Sequence, residues 1–145
     1  MVSINLSGKQ AVVTGAARGL GKAVALKYAQ AGADVWIADI LKDELEKTAE
    51  EIRSMGVKCG YSLCDVSDYD QYEALLNDAG QVDILAHVAG IMVSKPMLKI
   101  NQDEIDRLIK VNINGTDNAC RAGLRKMIPE KKGTILITSS VAGRH

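Results

Sequence analysis

The sequence predicts an α/β fold built on a doubly wound parallel sheet. Three observations predict it. Short apolar runs alternate along the chain with longer stretches of helical period. The runs are apolar at successive positions, the pattern of strands covered on both faces. A glycine-rich turn, residues 14–21, joins the first run to the first helical stretch. Right-handed crossovers then place helices on both sides of one sheet, a Rossmann-type arrangement.

The first strand reads Gln10–Thr14 (QAVVT), followed by a helix over 19–31 with Gly32 at the C′ position. The second strand is Asp34–Asp39 (DVWIAD). The helix over 41–55 carries KDELEKTAEEIR, whose Glu and Lys stand at helical neighbour spacings. That stretch reads as a solvated face, ended by Gly56. A third strand spans 57–63. Ser67, with Asp70 three residues on, starts a short helix to residue 78. The fourth strand is 81–88 (QVDILAHV). Asn101 and Glu104 have capping-box spacing and open the longest helix, which reaches residue 128 and is stopped by Pro129. Its apolar face is expected to include Ile105, Leu108, Ile109, Asn112, Thr116, Ala119, Cys120, Gly123 and Met127. Arg125, Lys126, Lys131 and Lys132 gather at its end, where the helix dipole favours cations. The fifth strand is 133–139 (GTILITS). No repeat, low-complexity tract or linker divides the 145 residues, so they read as one domain.

The 18 Lys+Arg balance the 18 Asp+Glu, which excludes a nucleic-acid platform with its basic face. Aromatic residues are 3% with no Phe, so the core must be built from Val, Ile, Leu, Ala and Met. No apolar run approaches the roughly 20 residues of a membrane span. The first nine residues lack the basic and apolar regions of a signal peptide, so no membrane partner is expected. Cys59, Cys64 and Cys120 form no CxxC pair and suit neither a disulfide framework nor zinc. They read as reduced thiols of a cytoplasmic protein. His87 and His145 are too few for a metal cluster, and no metal is expected.

The turn Thr14-Gly15-Ala16-Ala17-Arg18-Gly19-Leu20-Gly21 follows a strand and opens a helix. Glycines there let the backbone approach a pyrophosphate, and the helix N-terminus offers unpaired N–H groups to the charge. The spacing is G-x-x-x-G-x-G, not the commoner G-x-G-x-x-G. Asp39 ends the second strand roughly twenty residues later, where a carboxylate accepts hydrogen bonds from a ribose hydroxyl and repels a 2′-phosphate. Its bland role is a strand-end cap. Arg18 would favour the phosphate, but Asp39 stands at the discriminating hydroxyl, so NAD is expected over NADP.

In these residues the chain resembles the short-chain dehydrogenase/reductases, along its whole length. The family's TGxxxGxG turn matches Thr14–Gly21, and its acidic residue after the second strand matches Asp39. Its aspartate-hydrophobe pair beside the adenine looks like Asp65-Val66. Its NNAG segment is similar to His87-Val88-Ala89-Gly90, which lacks both asparagines. Its helix asparagine looks like Asn112, and its catalytic serine, in SSxxG, like Ser140. The resemblance implies a cofactor held by Gly15, Arg18, Gly19, Leu20 and Gly21, by Asp39 with Ile40, by Asp65 and Val66, and by Val88, Ala89 and Gly90. It implies catalytic roles for Ser140, which would orient the substrate oxygen, and Asn112, which would position a water in a proton relay. Residues 1–145 would then be a dinucleotide-binding Rossmann domain.

Asn112 on an apolar helix face needs a buried partner, whether it is a core amide or part of a relay. Ser140 lies just past the carboxyl end of the fifth strand, on the edge where such sheets bind ligands. Its neighbour Ser139 points the other way along the strand. His87 is expected to pack or hydrogen-bond within the sheet, with no catalytic part.

The family's chemistry also needs a YxxxK pair beyond the serine. None of Tyr28, Tyr61, Tyr69 and Tyr72 has lysine four residues on. The chain is therefore expected to be the N-terminal part of a longer subunit, incomplete after the fifth strand and inactive alone. Residues 134–138 would form an exposed apolar edge, and the long helix an uncovered stripe. The complete subunit would be an NAD-dependent oxidoreductase interconverting a small-molecule alcohol and a carbonyl. The resemblance implies a homo-oligomer, dimer or tetramer, with the helix face around Ile109, Thr116 and Gly123 as interface or as ordinary sheet packing. The alternative is a non-catalytic truncated fragment that binds dinucleotide or a partner.

Overall fold

The computed structural model describes residues 3–144; His145 lies outside them. Five parallel strands form one sheet in the order β3-β2-β1-β4-β5: β1 (Gln10–Thr14), β2 (Asp34–Asp39), β3 (Cys59–Leu63), β4 (Ile84–His87) and β5 (Thr134–Ile137). The helices are α1 (Gly19–Gln30), α2 (Lys42–Arg53), α3 (Tyr69–Ala79), α4 (Gln102–Leu108) and α5 (Gly115–Glu130).

Strand alternation sorts the core into two layers. Val13, Val35, Ile37 and Ala86 face one side, where Ala25 and Ala29 of α1 and Leu45, Ala49 and Ile52 of α2 cover them. Val12, Ala38 and Leu85 face the other, against Tyr72, Leu75 and Leu76 of α3 and Ala119, Ala122 and Met127 of α5. The register is uniform, with Val13 opposite Ile37 on one side and Ala86 on the other. The doubly wound parallel sheet is thus as the sequence predicts.

Several boundaries differ from expectation. The cap of α3 is Asp68, not Ser67: the Asp68 side chain accepts the Gln71 N–H at 3.1 Å, while the Ser67 hydroxyl donates to Asp65. The strands at 59, 84 and 134 begin later than expected, because bends and irregular backbone precede them, and the fourth and fifth end earlier, at His87 and Ile137, so Ser139 lies past the strand and not in it. Pro129 does not stop the last helix. It lies one residue inside its end, and Lys131 closes it in the left-handed region at φ 53°.

The largest difference lies in the long helix. The capping box of Asn101 and Glu104 forms as expected. The helix, however, passes through a π segment, Ile109–Asn114, before continuing as α5. The wider π turn shifts the phase of everything beyond it. The buried face of α5 is Gly115, Asn118, Ala119, Ala122, Gly123 and Met127, whereas Asn112 is exposed and Ile109 is 44% exposed. Gly123 packs on the sheet, where a Cβ would lie 2.9 Å from both Leu85 and Ile135. Among the described residues β5 pairs with β4 alone, and Leu136 and Ile137 are exposed on it. Among the described residues no helix is long and apolar enough to cross a membrane.

Gly60 on β3 sits against the Trp36 ring of β2; a Cβ there would lie 2.2 Å from Trp36 Cζ3. The ring cannot swing away freely, because its Nε1–H donates to Ser62 at 2.9 Å. Gly60→Ala is expected to cost about 1–3 kcal/mol, the range of overpacked cores. A thermal midpoint several degrees below wild type in a melting curve is the outcome to look for, and no change would contradict it.

Candidate functional site

The sheet reverses direction of winding at β1, with β2 on one side and β4 on the other. Loops leaving the carboxyl ends of β1 and β4 therefore part, and a crevice opens between them. A cleft of about 880 Å³ lies there. Its floor is made by Gly15 and Gly21 from the first turn, with Arg18 and Leu20 beside them. Asp39 and Ile40 follow β2, Asp65 and Val66 follow β3, and Val88, Ala89 and Gly90 follow β4. Gly19 lies within the same turn, between Arg18 and Leu20.

The turn can form only with glycine at key places. Gly15 has φ 69°, and a Cβ on it would lie 2.8 Å from Ala89 N and Cα. Gly21 meets the turn's own backbone, where a Cβ would fall 2.0 Å from the Gly15 carbonyl oxygen. These close approaches bring the end of β4 and the start of α1 together. No side chain caps α1, and its first turn holds no acidic residue. Its N-terminal N–H groups and the positive end of its dipole therefore face an open cradle, an arrangement that favours negative charge.

Asp39 is held in place. Its Oδ2 accepts the Ala17 N–H at 3.0 Å, and its Oδ1 accepts the N–H groups of Ile40 at 2.7 Å and Leu41 at 3.3 Å. The carboxylate thus joins the glycine turn to the loop before α2. It does act as a strand-end cap, yet a carboxylate offers about four lone-pair sites, so one remains for a hydroxyl in the cleft. Asp65 is oriented by an Asx-type turn, with Oδ1 accepting from the Ser67 N–H at 3.0 Å and hydroxyl at 2.7 Å. Val66 is buried, and its carbonyl accepts the Asn118 amide at 2.9 Å.

The Asn112 side chain grips one backbone unit: Oδ1 accepts the Ile91 N–H at 2.9 Å and Nδ2 donates to the Ile91 carbonyl at 2.8 Å, which leaves one N–H and one lone pair of the amide over. Its own carbonyl accepts the Thr116 hydroxyl at 2.7 Å. The expected partner of this amide exists, but it is the exposed Ile91 backbone and not a buried group, because the π segment turns Asn112 toward the loop after β4. Ser140 stands past β5, exposed, its Oγ accepting the Ala142 N–H at 3.2 Å. Asn112 and Ser140 do not line the cleft, but both stand near the carboxyl edge of the sheet.

The sequence reasoning missed the far wall: Asp103, Asp106, Arg107 and Lys110, from α4 and the start of the π segment. Their spacing of three, four and seven residues marks one polar helix face. Cys64 also borders the cleft, but burial, then Asp65 and Asp68, push its thiol up to about 12, so it stays protonated and inert.

The family model for short chain dehydrogenases matches residues 9–145. The chain belongs to the short-chain dehydrogenase family. Among curated members, oxidoreductase UcpA of Salmonella typhimurium is 37% identical over 142 residues, 95% of this chain and 54% of its own length. A solved short-chain type dehydrogenase/reductase from Mycobacterium marinum superposes with a TM-score of 0.92 at 38% identity, covering 97% of this chain and 59% of that one. A 3-oxoacyl-[acyl-carrier protein] reductase from Brucella melitensis, solved with bound NAD, gives 0.90 at 35% identity, with 97% and 56% covered. This short-chain dehydrogenase chain thus spans a little over half the length of these relatives. The five-strand sheet is that of their N-terminal part.

Proposed function

We propose that residues 1–145 are the dinucleotide-binding domain of an NAD-dependent oxidoreductase that interconverts a small-molecule alcohol and a carbonyl. The observation that carries this reading is Asp39, a fixed carboxylate at the end of β2 facing the glycine-turn cleft. The residues present fit the cofactor: glycines leave an open cradle at a helix N-terminus, and Asp65 retains an oxygen free for an adenine amino group. The nicotinamide ring supplies or accepts the hydride when bound. The turn from Gly15 to Gly21 would hold the pyrophosphate, with Arg18 and Leu20 flanking it. Asp39 and Ile40 would hold the adenosine ribose, Asp65 and Val66 the adenine, and Val88 to Gly90 the second ribose. The Ser140 hydroxyl keeps its proton free to donate to a substrate oxygen. Asn112 would position a water in the proton relay with the N–H and lone pair that its bonds to Ile91 leave over, while those bonds fix the loop after β4. The exposed Ile109 and Ile113 would suit a helix-to-helix contact in a homo-oligomer.

Titration with NAD and NADP tests the reading. NAD is expected to bind at least about tenfold more tightly, because a 2′-phosphate would face the Asp39 carboxylate. Asp39→Asn removes that charge and is expected to weaken NAD by about tenfold while narrowing the preference. Tighter binding of NADP by wild type, or an unchanged preference in Asp39→Asn, would sink it.

A further inference from the structure

Three buried polar side chains meet directly beneath the cleft. Thr14 closes β1, His87 closes β4, and Tyr72 comes from α3; none is more than 2% exposed. Thr14 Oγ1 accepts the N–H groups of Val88 at 3.2 Å and Ala89 at 3.4 Å, and lies 3.1 Å from His87 Nδ1. The Tyr72 hydroxyl lies 3.0 Å from the same nitrogen. Two amides occupy the lone pairs of the Thr14 oxygen, so its proton goes to Nδ1. Nδ1 is then an acceptor and the ring proton is on Nε2, which is buried with no partner among the described residues.

We propose that His87 and Tyr72 are positioning residues for the dinucleotide cleft: His87 fixes the Thr14 hydroxyl, which holds the Val88 and Ala89 amides and so sets the end of β4 against the Gly15 turn, and Tyr72 holds the His87 ring in place. The link to dinucleotide rests on the reading above. The tolerance there is small, since Gly15 already lies too close to Ala89 to admit a Cβ. Removing the acceptor at 87 leaves two buried hydroxyls competing for no partner, and the cheapest relief is for Thr14 to rotate away from the amides. Tyr72 extends the effect, because α3 begins just after Asp65 and Val66. One network thereby ties both ends of the cleft.

Amide hydrogen exchange in the intact protein tests this, with NAD titration in parallel. In His87→Leu the Val88 and Ala89 amides are expected to exchange about tenfold faster relative to those of Val12 and Val13. The dissociation constant for NAD rises by about tenfold. His87→Asn, whose amide oxygen can accept the Thr14 proton, is expected to restore both to within about threefold. A merely structural role would lower stability without local exchange at 88 and 89 and without this rescue. If His87→Leu does not fold, Tyr72→Phe gives the same comparison with a smaller change. Unchanged relative exchange at 88 and 89 in the folded variants overturns the proposal, as does His87→Asn no better than His87→Leu. If exchange changes as expected but wild type binds no NAD, the network stands and the dinucleotide reading falls.

Discussion

Gly21→Ala is expected to abolish the native fold, whereas Gly19→Ala leaves it standing and removes dinucleotide binding. The two glycines are two residues apart, yet the space around them differs. A Cβ on Gly21 would lie 2.0 Å from the Gly15 carbonyl oxygen, 2.6 Å from its carbon and 3.1 Å from Ala16 N. All three are backbone atoms of the turn and cannot rotate aside. Relief requires moving α1 off β1, and with it the packing of Ala25 and Ala29 on Val13 and Ala86. The cost should exceed the roughly 1–3 kcal/mol of ordinary overpacking, a large part of a total stability of about 5–15 kcal/mol. Gly19 has φ 60° and no atom within 4 Å of its added Cβ. Alanine there pays only the left-handed backbone penalty, about 1–2 kcal/mol. Its methyl would stand at the mouth of the helix, where the proposal places the pyrophosphate. Circular dichroism melts with NAD titration separate the two. A Gly21→Ala protein that melts near wild type would contradict the packing argument, and a Gly19→Ala protein with wild-type affinity the cradle.

That contrast also shows what a sequence can disclose. The turn was legible because its glycines answer to backbone contacts that any sequence with this strand–turn–helix must solve. Asp39 was legible by its place at a strand end, and β1 and β2 by uninterrupted apolar runs. The long helix was legible at its start, where Asn101 and Glu104 form a local capping box. Its middle was not. A π turn at Ile109–Asn114 has no residue signature, yet it rotates the following helix and moves burial from Cys120 and Thr116 toward Asn118 and Ala122. Asn112 therefore meets a loop backbone and not the core. Pro129 misled because proline removes one N–H near a helix end, where the helix can bear the loss. The wall of Asp103, Asp106, Arg107 and Lys110 was visible as a polar face, but only the tertiary fold turns that face toward the cleft. The place of His87 in the sheet is legible from its apolar run, but its two hydroxyl partners come from 15 and 73 residues away, which no local pattern specifies.

Acidification is expected to destabilise the protein through His87 well before the ring is protonated in the native state. Burial lowers the pKa of His87 from 6.5 to about 4. In the unfolded chain the ring takes a proton near its ordinary value. Between these values the unfolded state binds more protons than the native state, so stability falls as pH falls. Well above pH 6.5 the ring is neutral in both states and contributes no slope. Across the window the loss amounts to about 3 kcal/mol, since each pKa unit is worth about 1.4 kcal/mol. Glu104 slopes in the same direction, because Lys95 and the Asn101 N–H hold its carboxyl below the usual range. The His87 share is isolated by difference: urea midpoints at pH 7.5 and 4.5 for wild type against His87→Asn. The wild-type midpoint should fall further, and equal falls would remove His87 as the cause. The groups facing the ring are the Tyr72 and Thr14 hydroxyls, with Cys64 and Cys120 beyond Tyr72. None of them offers a charge to offset a buried imidazolium. A protonated Nδ1 can no longer accept from Thr14, so the grip on the Val88 and Ala89 amides loosens where the charge appears. Acid should therefore weaken the cleft floor and the fold together, through the same nitrogen.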